Sequence, residues 1–215
     1  MMRIEIKGTI IPNGLQEAYD FFNVDATSPK KVKSAIESLK EDEEAVFEIN
    51  SGGGEIFAGS EIYSMIRSLK NKEIEITGLA GSAASVIAMA GHSKMSPTAM
   101  IMIHNVSTCA QGDWQVFDHE SKVLRECNRS IAAAYVEKTG KPEAELLDLM
   151  NEETWMSSTK ALELGFVDEI MTACDGVYNS MCRILTAEEI EQARAALKIQ
   201  NQLEQERLNL LKLEV

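Results

Sequence analysis

The stretch that most restricts what this chain can fold into is Gly78-Leu79-Ala80-Gly81-Ser82-Ala83-Ala84-Ser85-Val86-Ile87-Ala88-Met89-Ala90-Gly91. Apart from Leu79, nothing before Val86 is larger than serine, so two pieces of backbone can lie almost in contact there. The stretch follows Glu73-Ile74-Glu75-Ile76-Thr77, an alternating run that reads as a strand. Ser82 and Ser85 therefore stand where a strand gives way to a helix. The start of a helix presents unpaired N–H groups and the positive end of its dipole, which suit a nucleophile and the oxyanion it creates. Serine is also a common helix cap. The stretch gains chemical meaning only together with two others: the glycine turn Asn50-Ser51-Gly52-Gly53-Gly54 and the segment Ile101-Met102-Ile103-His104-Asn105.

The remainder alternates in the same manner. Arg3–Ile10 reads as a half-buried strand, and Pro12, Asn13 and Gly14 mark a turn. Ser28-Pro29 supplies a cap and a first-turn proline for a helix with Val32, Ile36 and Leu39 on one face. Ala45–Ile49 is the next strand, and residues 55–70 form a helix with Ile62, Met65, Ile66 and Leu69 at helical spacing. After the serine segment and a helix through Ile87 and Met89, Pro97 breaks the chain before the strand Ala99–Ile103. This repeated βα order predicts an α/β fold, a mostly parallel buried sheet with helices packed against it. A long helix from Trp114 to about Lys138 ends at Gly140, another follows Lys141-Pro142, a short one covers Ala161 and Leu162, and Phe166–Met171 is the last strand. From Thr186 the composition shifts to Glu, Gln, Arg, Lys and Leu, with Thr186 and Glu189 spaced as a capping box. The predicted organisation is a main domain over 1–175 and a helical extension over 176–215.

With 215 residues the chain can bury a substantial core. Its net charge of −13 argues against nucleic acid and against an anionic membrane surface as partners. Cys109, Cys127, Cys174 and Cys182 have neither disulfide-framework nor zinc spacing, and no cofactor motif occurs, so no metal or cofactor is expected. No run reaches membrane-spanning length and no signal-peptide pattern opens the chain, which predicts a cytoplasmic protein.

The glycine turn, the small-residue serine segment and the Met-Ile-His segment, in that order, resemble the Clp protease proteolytic subunit. The likeness is closer to the Clp-related head maturation proteases of phages and prophages. It extends through residues 18–28, Ala134–Gly140, Glu153-Thr154-Trp155 and Glu163–Asp168, and spans about Arg3 to Ile170. The resemblance implies a crotonase-like fold, a repeated ββα superhelix with the Trp114 helix as a protruding handle. It also implies a homo-oligomeric ring, heptameric or double, and a serine endopeptidase acting on polypeptides such as phage capsid or scaffold proteins. The chain begins just before its first strand, so the resemblance leaves docking to an ATPase unfoldase open.

In that family a serine following a Gly-x-Ala-Ala run is the nucleophile, which selects Ser85 after Ala83-Ala84, with Ser82 as its rival. His104, one of three histidines, is the expected base; His92 and His119 stand in polar surroundings. The interval from Ser85 to His104 is 19 residues (104 − 85), shorter than in the housekeeping subunit. The resemblance assigns the oxyanion donors to the amides of Gly53 and of Val86, the residue after Ser85. It assigns the third member to Glu153, with Asp148 and Asp168 as alternatives. Two other classes share these features: a crotonase-type acyl-CoA hydratase or isomerase, which needs no serine nucleophile, and a ring-forming scaffold with an inactive site.

Overall fold

The computed structural model describes residues 1–172. The expected extension over 176–215, Cys174 and Cys182 lie outside them. Alternation builds the first strand: in β1 (Met2–Ile10), Ile4, Ile6 and Ile10 are buried while Arg3 and Glu5 face outward. One turn of 3-10 helix, Asn13–Leu15, leads through α1 (Gln16–Phe21) to the two-residue β2 (Ala26–Thr27). Ser28 then caps α2 (Pro29–Glu37), its hydroxyl accepting the Lys31 amide at 3.4 Å.

β3 (Ala45–Gly54) is longer than its apolar run, because the glycine segment continues the strand. Ser51 pairs with β4, and Gly53 and Gly54 lie opposite Thr9 and Ile10 of β1. The predicted glycine turn is therefore corrected to extended backbone at the strand's end. Glu55 caps α3 (Ile56–Ser68), accepting from the amides of Phe57 and Ala58.

β4 (Lys72–Gly81) leads directly into α4 (Ala83–Ala88). There follow β5 (Ser93–Met95), β6 (Met100–Ile103), α5 (Trp114–Thr139), α6 (Glu143–Asn151), β7 (Thr154–Ser157), α7 (Ser158–Leu164) and β8 (Glu169–Ile170). Gly140 ends α5 in the left-handed conformation, φ 69°.

The sheet runs β2-β1-β3-β4-β5-β8, parallel throughout, as the βα alternation requires. β4 serves two neighbours in succession. Ile74–Ile76 pair with β5, whereas Leu79–Gly81 pair with β6, and β6 turns antiparallel onto β7. Asn50 bridges the changeover, its Oδ1 accepting the Leu79 amide at 3.1 Å. On the outward face Glu5, Glu48 and Glu75 occupy one register row, a repulsive line of like charge. Arg3 and Lys7 offset it, with Arg3 Nη1 2.5 Å from Glu75 and Lys7 Nζ 2.6 Å from Glu5. The opposite face is the core, where Phe47, Ile49, Ile62, Ile74, Ile76 and Ile87 are fully buried. Among the described residues no helix is long and apolar enough to cross a membrane.

Candidate active site

The end of β4 explains why its residues are small. Ser82 is the single residue between strand and helix, and its backbone adopts φ 51°, ψ −123°, a region that L residues seldom occupy. Tertiary contacts hold it there. Its amide donates to the Met102 carbonyl at 2.9 Å, and its carbonyl accepts the Ser85 amide at 2.9 Å. Gly53, with φ 96°, passes so close that a Cβ on it would fall 2.7 Å from Ser82 Cβ and 2.6 Å from the Gly81 oxygen. Strain of this kind costs about 1–3 kcal/mol and persists where the surrounding structure over-determines it.

His104 follows the last residue of β6, and its Nε2 lies 2.8 Å from Ser82 Oγ. Both side chains are half-buried and line one cleft of about 330 Å³ together with Ala83. Val86, Val123 and Ile131 make its walls apolar, and a second groove of about 490 Å³ shares Ile56, Phe57, Val123 and Ile131 with it. The segment after His104 is tied to α5 and α6 by a chain of amides. Asn128 donates to Asn105 at 2.9 Å, Asn105 donates to Asn151 at 2.8 Å, and Asn128 Oδ1 accepts the Val106 amide at 2.7 Å.

Two of the expected residues stand elsewhere. Ser85 does not meet His104. It is fully buried in the first turn of α4, its hydroxyl 2.6 Å from the Ser82 carbonyl oxygen and 2.7 Å from the Tyr135 hydroxyl. Val86 follows the buried Ser85, not the serine that meets His104, and stands one turn into α4. The residue after Ser82 is Ala83, the first of the helix, whose N–H has no intrahelical acceptor. Gly53 is at the site, but its amide donates to Ser51 Oγ at 3.1 Å.

Glu153 is brought near in register only. Ile103 pairs with Thr154 across β6 and β7, so one further step sets Glu153 opposite His104. Its exposed carboxylate instead accepts the Trp155 indole N–H at 3.2 Å. Asp168 is engaged elsewhere, accepting from Lys138 and from the Ser93 amide at 2.6 Å. Burial works to raise its carboxyl, but Lys138 and the Ser93 amide outweigh that and hold it below the usual range.

Sequence alone could not separate the serines because the motif occurs twice in register-shifted form. Gly81-Ser82-Ala83-Ala84-Ser85 fits Gly-x-Ala-Ala-Ser, and Gly78-Leu79-Ala80-Gly81-Ser82 fits with glycine for the second alanine. The spacing was the available signal, since taking Ser82 lengthens the interval to 22 residues (104 − 82).

A model of the Clp protease family matches residues 24–174. The ATP-dependent Clp protease proteolytic subunit 1 of Chlamydia trachomatis serovar D is 32% identical over 161 residues, 67% of this chain and 83% of that protein. The corresponding subunit of Deinococcus radiodurans is 31% identical over 140 residues, covering 63% of this chain and 69% of that one. For subunit 1 of Chlamydia pneumoniae the figures are 30% over 175 residues, 75% and 91%. Likeness of this extent, over a fold that sets a serine against an imidazole at a strand-to-helix turn, makes the chain a member of the Clp protease family, a serine peptidase.

Proposed function

We propose that the chain is an endopeptidase that works through an acyl-enzyme on Ser82, with His104 as general base and then general acid. The observation that carries this is the 2.8 Å contact between Ser82 Oγ and His104 Nε2 at a turn open to a cleft. In this reading Ser82 Oγ attacks the scissile carbonyl carbon while His104 Nε2 takes its proton. The oxyanion is met by the Ala83 N–H, and by the Gly53 amide once it releases Ser51. His104 returns the proton to the leaving amine, and water then repeats the sequence on the ester. Glu153 orients the imidazole after its carboxylate leaves Trp155, a movement that binding can drive because catalytic hydrogen bonds tighten in the substrate complex.

The apolar walls suit an extended polypeptide carrying an apolar side chain beside the scissile bond. Exposed Trp114 and Phe117 on α5, and Phe21 and Phe22 at the C-terminal end of α1, support assembly into a ring, heptameric or double, that covers them. The resemblance of the segments around Tyr19, Tyr135 and Trp155 to head maturation proteases supports phage head or scaffold proteins as the natural substrate class. The relatives' designation as ATP-dependent brings an unfoldase into the proposal as a partner.

Fluorophosphonate labelling followed by peptide mapping tests the site. The adduct is expected on Ser82 and absent in Ser82→Ala. An adduct on Ser85 overturns the assignment, and no adduct with no turnover favours the acyl-CoA or scaffold alternatives. Analytical ultracentrifugation tests assembly, where a stable monomer at micromolar concentration removes the ring.

A further inference from the structure

We propose that Ser85 and Tyr135 form a buried relay that aims the Ala83 amide at the oxyanion, making both of them positioning residues for the serine chemistry. The inference rests on the reading of Ser82 as nucleophile. Ser85 and Tyr135 are 0% and 1% exposed, so no substrate and little water reaches either. The Ser85 hydroxyl has one proton and two neighbours: the Ser82 carbonyl oxygen at 2.6 Å, which can only accept, and the Tyr135 hydroxyl at 2.7 Å. Ser85 therefore donates to the Ser82 carbonyl, and Tyr135 donates to Ser85. The direction of the whole chain is fixed: Tyr135 O–H to Ser85, Ser85 O–H to Ser82 C=O.

That carbonyl belongs to the same planar, trans peptide as the Ala83 N–H, and the two point in opposite directions. Holding the oxygen toward the buried side thus turns the N–H toward Gly53 and the cleft. Ala83 N lies 2.9 Å from where a Cβ on Gly53 would stand, and Ala83 lines the cleft. Ser82 has a strained backbone, so this peptide plane needs such a restraint more than one in a relaxed helix would. Tyr135 is itself fixed by packing on Phe166, ring centroids 5.6 Å apart. The phenol is a donor at neutral pH even at its ordinary pKa, and burial pushes that pKa higher still.

The test compares Ser85→Ala, Ser85→Cys and Tyr135→Phe with wild type in peptide turnover and fluorophosphonate labelling, each checked by circular dichroism and thermal melting. Because the oxyanion exists only in the transition state, Ser85→Ala should lower kcat about 10- to 100-fold and leave KM within about twofold, somewhat less than losing a donor outright. Labelling should slow but still map to Ser82. Ser85→Cys, nearly isosteric and a weaker donor, should fall between serine and alanine, and Tyr135→Phe should lose kcat by a smaller factor. Wild-type kcat in a folded Ser85→Ala overturns the relay, as does a rise in KM alone. If Ser85→Ala does not fold, Tyr135→Phe decides: reduced kcat at constant KM supports the relay, and unchanged kcat overturns it. Abolished labelling in Ser85→Ala with labelling retained in Ser82→Ala overturns the Ser82 assignment itself, a result distinct from either.

Discussion

Two turns flank His104, one in side-chain contact and one in sheet register, and they are built in opposite ways. Ser82 and Glu153 are both non-glycine residues at positive φ, 51° and 50°, Ser82 just after the end of β4 and Glu153 just before the start of β7. Ser82 is held by the Met102 carbonyl, by the Ser85 amide and hydroxyl, and by Gly53 pressed against it. Glu153 has a local bond from its amide to the Met150 carbonyl at 3.2 Å and an exposed contact with Trp155. The serine turn is thus set before substrate arrives, whereas the acid turn is free to adjust. Under the proposed function, the attacking group and its orienting acid need not be equally preorganised, provided binding can realign the second.

The most severe way to break the contrast is Ser82→Ala. It should remove labelling and lower kcat by about 10⁶ while leaving the melting temperature near wild type, since one oxygen atom is lost. Retained turnover would transfer the chemistry to the neighbouring serine. Next is Glu153→Gln, expected to cut kcat by up to about 10⁴ with little change in KM if the carboxylate reaches His104 during turnover. Near-wild-type kcat would mean that a Ser–His pair suffices or that Asp148 serves.

Gly53→Ala attacks the rigid turn from outside. The added methyl cannot fit between Gly81 and Ser82, so kcat should fall by about 10²–10³ with some loss of stability, read by turnover and melting. Trp155→Phe sharpens the other side. Removing the indole N–H releases the Glu153 carboxylate, and kcat should rise about two- to fivefold, the scale of one exposed hydrogen bond. A fall in kcat would show that the indole helps to hold the acid.

The smallest effect concerns Asp168, whose carboxyl is depressed by Lys138 and the Ser93 amide despite partial burial. A depressed carboxyl stabilises the fold above its unfolded pKa, and that contribution is lost as pH falls through the folded value. Melting curves should show Asp168→Asn below wild type at neutral pH, with the gap closing below about pH 4, and kcat within about twofold. A large loss of kcat would return Asp168 to the site.

Much of this was legible from residue order. The Ser28-Pro29 helix start, the Gly140 stop and the parallel sheet follow from local chemistry that tertiary contacts left undisturbed. The glycine segment was misread because its strand pairing comes from β1, more than forty residues earlier, and pairing across that distance leaves no local mark. Strands β2 and β5, two and three residues long, are too short to show a period. His104 stands out in the sequence because three histidines offer little choice. The choice between Ser82 and Ser85 depends on a backbone twist and on a tyrosine fifty residues downstream, neither of which the repeated small-residue motif encodes.

The divided pairing of β4 has a consequence for how this chain can vary. Its first half is indexed to β5 and its second half to β6, with Asn50 spanning the changeover. The number of residues between Ile76 and Leu79 is therefore a fixed length, like the distance between two pins. One residue more or fewer would reverse the inward and outward faces of one half, and would also move Ser82 off the imidazole. Insertions and deletions should accumulate instead in exposed connections such as 107–112, which no strand register counts. The serine turn is thus held to its length by the sheet as firmly as it is held to its side chains by the cleft.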